Sequence, residues 1–257
     1  MSQSTGPFID SIYRYPVKGL SPQALDQADL EPGKTIAFDR AYAIENGSKK
    51  FDPANPVHMP KINFLVLMRN ERLASLETRF DDKDEKLTIL REGKKVTSGH
   101  LNEISGRQIL EQFFAAFMSS ELRGAPRIVH APGHSISDVR EKCLSIINLA
   151  SVRDLARIMG KPVNPLRFRA NLYIDGVAPW AEMDWVDQEI TIGGKVVLKA
   201  FKRTKRCAAV NVDPQSAKRD MNIPQSLNAA FGHMDTGIYA TVQSGGVIKA
   251  GDPLVTS

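Results

Sequence analysis

Turns built on proline and glycine cut the stretch 8–69 into short apolar runs, a punctuation that admits strands and excludes a long helix. Tyr15-Pro16-Val17-Lys18-Gly19, Glu31-Pro32-Gly33-Lys34 and Asp52-Pro53-Ala54-Asn55-Pro56 hold residues that a hydrogen-bonded ladder cannot absorb. The runs between them, 8–15, 24–30, 35–44 and 62–68, read as strands of a curled antiparallel sheet. Its loops are where a ligand would be met.

Further along, 76–80 and 86–91 pair as a hairpin across the charged turn 81–85, to which we assign no function. Leu110, Phe113, Phe114 and Phe117 recur at i, i+3, i+4 and i+7, which predicts an amphipathic helix over about 105–118 with an aromatic core stripe. A linker at 119–126 follows, then strand-like runs at 127–130 and 144–149. Ser151 is placed to cap a helix carrying Val152, Leu155, Ala156 and Met159, and Gly160 to end it. Strands are expected at 168–174, 189–192, 195–201, 208–212, 238–242 and 253–256, with a short helix at 224–231. Helices are few and do not alternate regularly with strands, which argues against a doubly wound parallel sheet. The expected class is α+β, mostly β: a barrel-like N-terminal domain over 1–122, then a barrel-like domain over 123–257 with a few short helices.

Composition narrows the chemistry. With Cys143 and Cys207 as its only cysteines, the chain can build neither a disulfide framework nor a cysteine-rich zinc or iron–sulfur site. The excess of 34 basic over 29 acidic residues suits an anionic partner but is too small to demand nucleic acid. Met1 to Gly6 lacks the basic and apolar regions of a secretory signal, and no apolar run is long enough to span a bilayer. The expectation is a soluble, cytoplasmic protein with no membrane association. Pro32-Gly33-Lys34-Thr35 looks like the tail of a phosphate-binding loop, yet Ala28 stands where its first glycine belongs. Gly133-His134-Ser135-Ile136-Ser137 has the outline of a nucleophile elbow, but Ser137 replaces the second glycine. The five histidines, His58, His100, His130, His134 and His233, lack metal-ligand spacing.

Chemistry concentrates at Lys202-Arg203-Thr204-Lys205-Arg206-Cys207. The run places one cysteine between two expected strands, behind four cations. Positive potential favours thiolate, the form that attacks electrophiles and ligates soft metals. A small buried residue beside a solvated basic run is the plainer alternative.

Four segments in order, Tyr15-Pro16-Val17-Lys18-Gly19, Phe38-Asp39-Arg40-Ala41-Tyr42, Arg167-Phe168-Arg169-Ala170-Asn171 and 205–214, closing with Gly251-Asp252-Pro253, resemble the MOSC family. The resemblance covers nearly the whole chain and is nearest to the amidoxime-reducing members and their bacterial relatives, which carry an N-terminal MOSC β-barrel domain. It implies a molybdenum–molybdopterin cofactor with Cys207 as metal ligand and catalytic centre, held also by Lys18, Arg40, Arg169, Asn171 and Arg206. It implies a small-molecule substrate, an N-hydroxylated or similar N- or S-oxygenated compound. With no ferredoxin module in this sequence, electrons would come from a separate ferredoxin, cytochrome b5-like protein or flavoprotein reductase. Two other readings stand beside it: a sulfur carrier holding persulfide on Cys207, and a non-enzymatic basic module. This chain has Gly19 where those relatives carry serine, Ala170 where proline is common, and Lys205 in place of a small polar residue.

Overall fold

The computed structural model describes residues 6–257; residues 1–5, which hold most of the polar N-terminal stretch discussed above, lie outside the described residues. The largest layer is an eight-stranded sheet in the order Leu254–Thr256, Glu189–Ile192, Val196–Lys205, Asp235–Ser244, Leu144–Asn148, Leu172–Asp175, Phe8–Arg14, Gln23–Leu25. Every neighbouring pair is antiparallel except Leu144–Asn148 with Leu172–Asp175. The two end strands do not pair with each other, so this sheet is open where the sequence suggested barrels. Alternate residues face one core: Leu144 and Ile146, Leu198 and Ala200, Ile238 and Ala240; Ile9 and Ile12 join them across a register shift between Ile9 and Ser11. The fold is mostly β, as expected, and among the described residues no helix is long and apolar enough to cross a membrane.

A second core forms where helix α1, Ile104–Phe117, buries Leu110 and Phe114 against the meander Glu77–Asp81, Lys86–Arg91, Lys94–His100. The α1 boundaries follow the aromatic stripe, since i, i+3 and i+4 positions share a helix face. The third strand of the meander, polar apart from the exposed Val96, carries no apolar alternation and was not foreseen.

Pairing ignores the boundary expected at 122. Phe8–Arg14 pairs with Leu172–Asp175, Gln27–Leu30 with Gly246–Lys249, and Tyr42–Glu45 with Arg127–His130. Helices α2, Leu149–Met159, and α3, Ile223–Phe231, pack on a third core that includes Tyr173 and Phe168.

Five local expectations need correction. The run 208–212 is a 3-10 turn, Ala208–Asn211, because Val210 and Val212 serve different cores, which the two-sided face of a strand would not allow here. The run 62–68 opens in the 3-10 turn Lys61–Asn63, and of 35–44 only the end is strand. At 168–174 the strand begins only at Leu172, after the 3-10 turn Pro165–Phe168. Asn148 caps α2, its side-chain oxygen accepting from Ala150 N at 2.9 Å, while the Ser151 hydroxyl donates to buried Glu182. Gly160 ends α2 as expected, at φ 67°.

Candidate functional site

One cleft collects all six residues singled out in the sequence: Lys18, Arg40, Arg169, Asn171, Arg206 and Cys207. Strand pairing brings them there from both ends of the chain. Their surroundings divide them into groups with different freedom.

Cys207 follows the last turn of the Val196–Lys205 strand, in extended backbone just before the 3-10 turn, and is half-buried. Its Sγ accepts from Lys61 Nζ at 3.4 Å. Lys61 also donates to Asp138 at 2.9 Å, and the other oxygen of Asp138 takes the ammonium of Lys18. Lys18 is 5% exposed, and it donates to the Ile136 carbonyl at 3.0 Å as well. Burial pulls its pKa below the usual lysine range, partly offset by Asp138. Burial opposes the charges on Asp138 and Lys61 too, but the contacts prevail: Lys18 and then Lys61 hold the carboxyl well below its ordinary range, and Asp138 holds the Lys61 ammonium above its own.

Arg40 and Arg169 each lie 4.3 Å from the centroid of the buried Tyr15 ring. Both adopt the left-handed region, φ 51° and 53°, a conformation that costs non-glycine residues on the order of 1 kcal/mol. Two hydrogen bonds hold them there: Arg40 N donates to Tyr15 O at 2.7 Å, and the Arg40 side chain donates from Nη2 to Arg169 O at 2.7 Å. Arg40 has a counter-ion, donating to both oxygens of Asp39 at 2.6 and 2.7 Å. Arg169 has neither a carboxylate nor a side-chain hydrogen-bond partner among the described residues. Burial, with Arg40 nearby, lowers its pKa to about 10.

Arg206 and Asn171 line the cleft with their polar groups already engaged. Arg206 donates to the carbonyls of Thr236 (Nε, 2.8 Å) and Phe168 (Nη1, 3.0 Å). Asn171 Oδ1 accepts from Ser145 N at 3.0 Å, and its Nδ2 donates to Tyr13 O at 3.2 Å. Both brace the wall. Thr204, also on the wall, is 2% exposed and its hydroxyl has no partner among the described residues.

Nothing in the sequence pointed to Lys61, Asp138 or Asp39 as site residues, nor to Cys143 lining the same cleft. Burial pushes the Cys143 thiol up to about 12, keeping it protonated. Gly19 is explained locally: at φ +88° a Cβ would stand 2.5 Å from Leu65 O, leaving no room for serine. The donor set suits an anion that carries a soft metal. It offers a guanidinium and a hydroxyl with no side-chain hydrogen-bond partner among the described residues, and a thiol beside an ammonium.

A family model described as the MOSC domain matches residues 124–255, and one described as the MOSC N-terminal beta barrel domain matches residues 7–122. Mitochondrial amidoxime-reducing component 1 of Homo sapiens is 29% identical over 185 residues, covering 60% of this chain and 54% of that protein. A molybdenum cofactor sulfurase of Drosophila willistoni is 31% identical over 114 residues, covering 42% of this chain and 13% of that protein. The matches thus span about half, or less, of these relatives' lengths. Among solved structures, the YuaD protein from Bacillus subtilis has a TM-score of 0.46 at 14% identity, covering 96% of this chain and 93% of that one.

Proposed function

We propose, on the premise that this chain belongs to the MOSC family, that its cleft holds a molybdenum–molybdopterin cofactor and that it is an oxidoreductase reducing N-hydroxylated or similar N- or S-oxygenated compounds. One observation carries the reading: Arg169, a cleft-lining guanidinium held in left-handed backbone without any counter-ion, faces the same space as the half-buried thiol of Cys207. A half-buried cation with no counter-ion among the described residues is costly unless a ligand supplies the opposite charge.

Cys207 would be the protein's metal ligand and Arg169 the main cation for the cofactor's phosphate, with the Thr204 hydroxyl as a further donor. Lys18 and Arg40, already neutralised by Asp138 and Asp39, add donors more than net charge. Arg206 and Asn171 fix the wall on which these groups stand. When bound, the cofactor supplies two-electron oxygen-atom transfer. Turning a hydroxylamine into an amine and water takes up two electrons and two protons. Lys61 holds protons at Nζ beside Cys207, within reach of the cleft. The electrons would come from a separate carrier, a ferredoxin, cytochrome b5-like protein or flavoprotein reductase. The stretches 1–122 and 123–257 would serve as two domains sharing this one ligand.

Elemental analysis for molybdenum, with pterin fluorescence after oxidative release, tests the reading on the wild type and on Cys207→Ser. Stoichiometric metal that disappears with the thiol is the expected result. Full metal content in Cys207→Ser overturns it. The ammonium 3.4 Å from Sγ equally favours an anionic persulfide at Cys207. Added sulfur mass on Cys207 in metal-free protein would select that second reading.

A further inference from the structure

The stretch that follows the Cys207 turn opens with Asp213-Pro214, a turn-forming pair, and closes on itself. Asp213 N donates to Lys218 O at 2.8 Å, the Asp213 carboxylate accepts from Ser216 N at 2.7 Å, and Val212 forms a strand bridge with Arg219. Arg167, 3% exposed, holds both ends of this loop, donating to Asp213 at 2.8 Å and to Asp220 at 2.9 Å. These bonds make the loop a stiff arm.

Arg219 stands at the end of the arm, and its guanidinium meets four acceptors on two distant segments. Nη1 donates to Ala208 O at 2.8 Å, next to Cys207. Nη2 donates to Leu67 O at 2.8 Å and to Met68 O at 2.9 Å, and Nε donates to the Glu71 carboxylate at 3.2 Å. Leu67 and Met68 line the cleft from one segment, Cys207 and Ala209 from the other, while Arg219 is not among the described lining residues. The loop closes without this fork, since Arg167 and the backbone already hold it. What the fork adds is a fixed distance between the two segments. Only a planar, multidentate cation can meet four acceptors at once, so lysine is no substitute.

We propose that Arg219 is a positioning residue that sets the width of the cleft beside Cys207, and thereby limits how bulky a molecule reaches the thiol. The inference rests on the reading of Cys207 as the working residue of the cleft. Its test reads access to the thiol with no cofactor bound, so it stands apart from whether Cys207 ligates molybdenum, which elemental analysis decides.

Full-length protein freed of any cofactor is alkylated with N-methylmaleimide or with the much larger N-pyrenylmaleimide. Mass spectrometry of the Cys207 peptide gives each rate, which is divided by the rate for free glutathione. In wild type the large reagent should lag the small one on the order of tenfold; equal normalised rates overturn the proposal. Arg219→Gln should raise the large-to-small ratio on the order of tenfold, the effect of losing charge-assisted bonds that hold two segments together. A ratio within about twofold of wild type overturns it. Ile190→Ala, a core change in the large sheet outside the cleft lining, should lower the melting temperature and leave the ratio unchanged. A rise there as large as that of Arg219→Gln counts against the proposal, because general loosening would then suffice. Should Arg219→Gln fail to fold, Arg219→Lys decides. It keeps the charge opposite Glu71 but loses the fork, so the ratio should still rise by about threefold or more, and a wild-type ratio refutes the role.

Discussion

Replacing Arg169 by methionine should make the ligand-free protein more stable, although it deletes a charged residue at the centre of the cleft. The guanidinium is held at a pKa of about 10 against an ordinary 12.5, chiefly by burial. At 1.36 kcal/mol per unit the gap caps its cost at about 3 kcal/mol. Partial exposure screens some of that, and attraction to the Tyr15 ring 4.3 Å away returns about 0.5–2 kcal/mol. A net gain of about 1 kcal/mol remains, worth about 2–4 °C in a chain of this size. At pH 7 the group is charged in both states, so the penalty is fully present. It would fade only as pH rises from about 10 towards the unfolded value. An anion in the cleft reverses the order. A charge-assisted bond of about 1.5–3 kcal/mol makes wild type bind about ten- to a hundredfold tighter, and ligand binding raises stability by mass action. Urea melts of both proteins, with and without inorganic phosphate at constant ionic strength, provide the comparison. A variant less stable than wild type without phosphate, or equal phosphate stabilisation of the two, would refute the argument that Arg169 awaits an anion.

Cys207→Ser should lose bound molybdenum in elemental analysis, whereas Cys143→Ser should keep it, since the buried Cys143 thiol stays protonated. Gly19→Ser should cost about 1–3 kcal/mol in denaturant melts through its positive φ and the Leu65 carbonyl, and should not improve cofactor retention. Asp138→Asn strips buried Lys18 of its counter-ion and should cost about 2 kcal/mol. Because the folded-state pKa of Lys18 then falls further below its unfolded value, that deficit should shrink as pH rises through the folded pKa, which pH-dependent melts can follow. The isolated stretch 123–257 should give no cooperative melt, for it lacks the strands Phe8–Arg14 and Gln27–Leu30 that complete its ladders.

The sequence made Cys207 and its basic run legible, because local charge and a strand junction are local properties. Arg40 and Arg169 were visible only through the motif around them; nothing in their neighbours foretells two left-handed arginines against one tyrosine. Lys61 and Asp138 were invisible for a different reason. They sit on irregular segments without periodicity, and their contacts span 146 and 77 residues. The helix at Ile104–Phe117 was readable because its stripe follows the helical period, while 208–212 misled because Val210 and Val212 alternate like a strand yet point into separate cores.

The strand Phe8–Arg14 pairs, along one edge, with Leu172–Asp175, whose synthesis begins 158 residues after Arg14. At translation speeds of about 5–20 residues per second, Phe8–Arg14 waits roughly 10–30 s for that partner. The far edge of the same sheet is completed only by Leu254–Thr256. Ile9 and Ile12 therefore stay without that side of their core for the whole of this interval. Slowing elongation would lengthen that exposure, so this protein's yield should depend on translation speed and on chaperones that shelter a nascent strand.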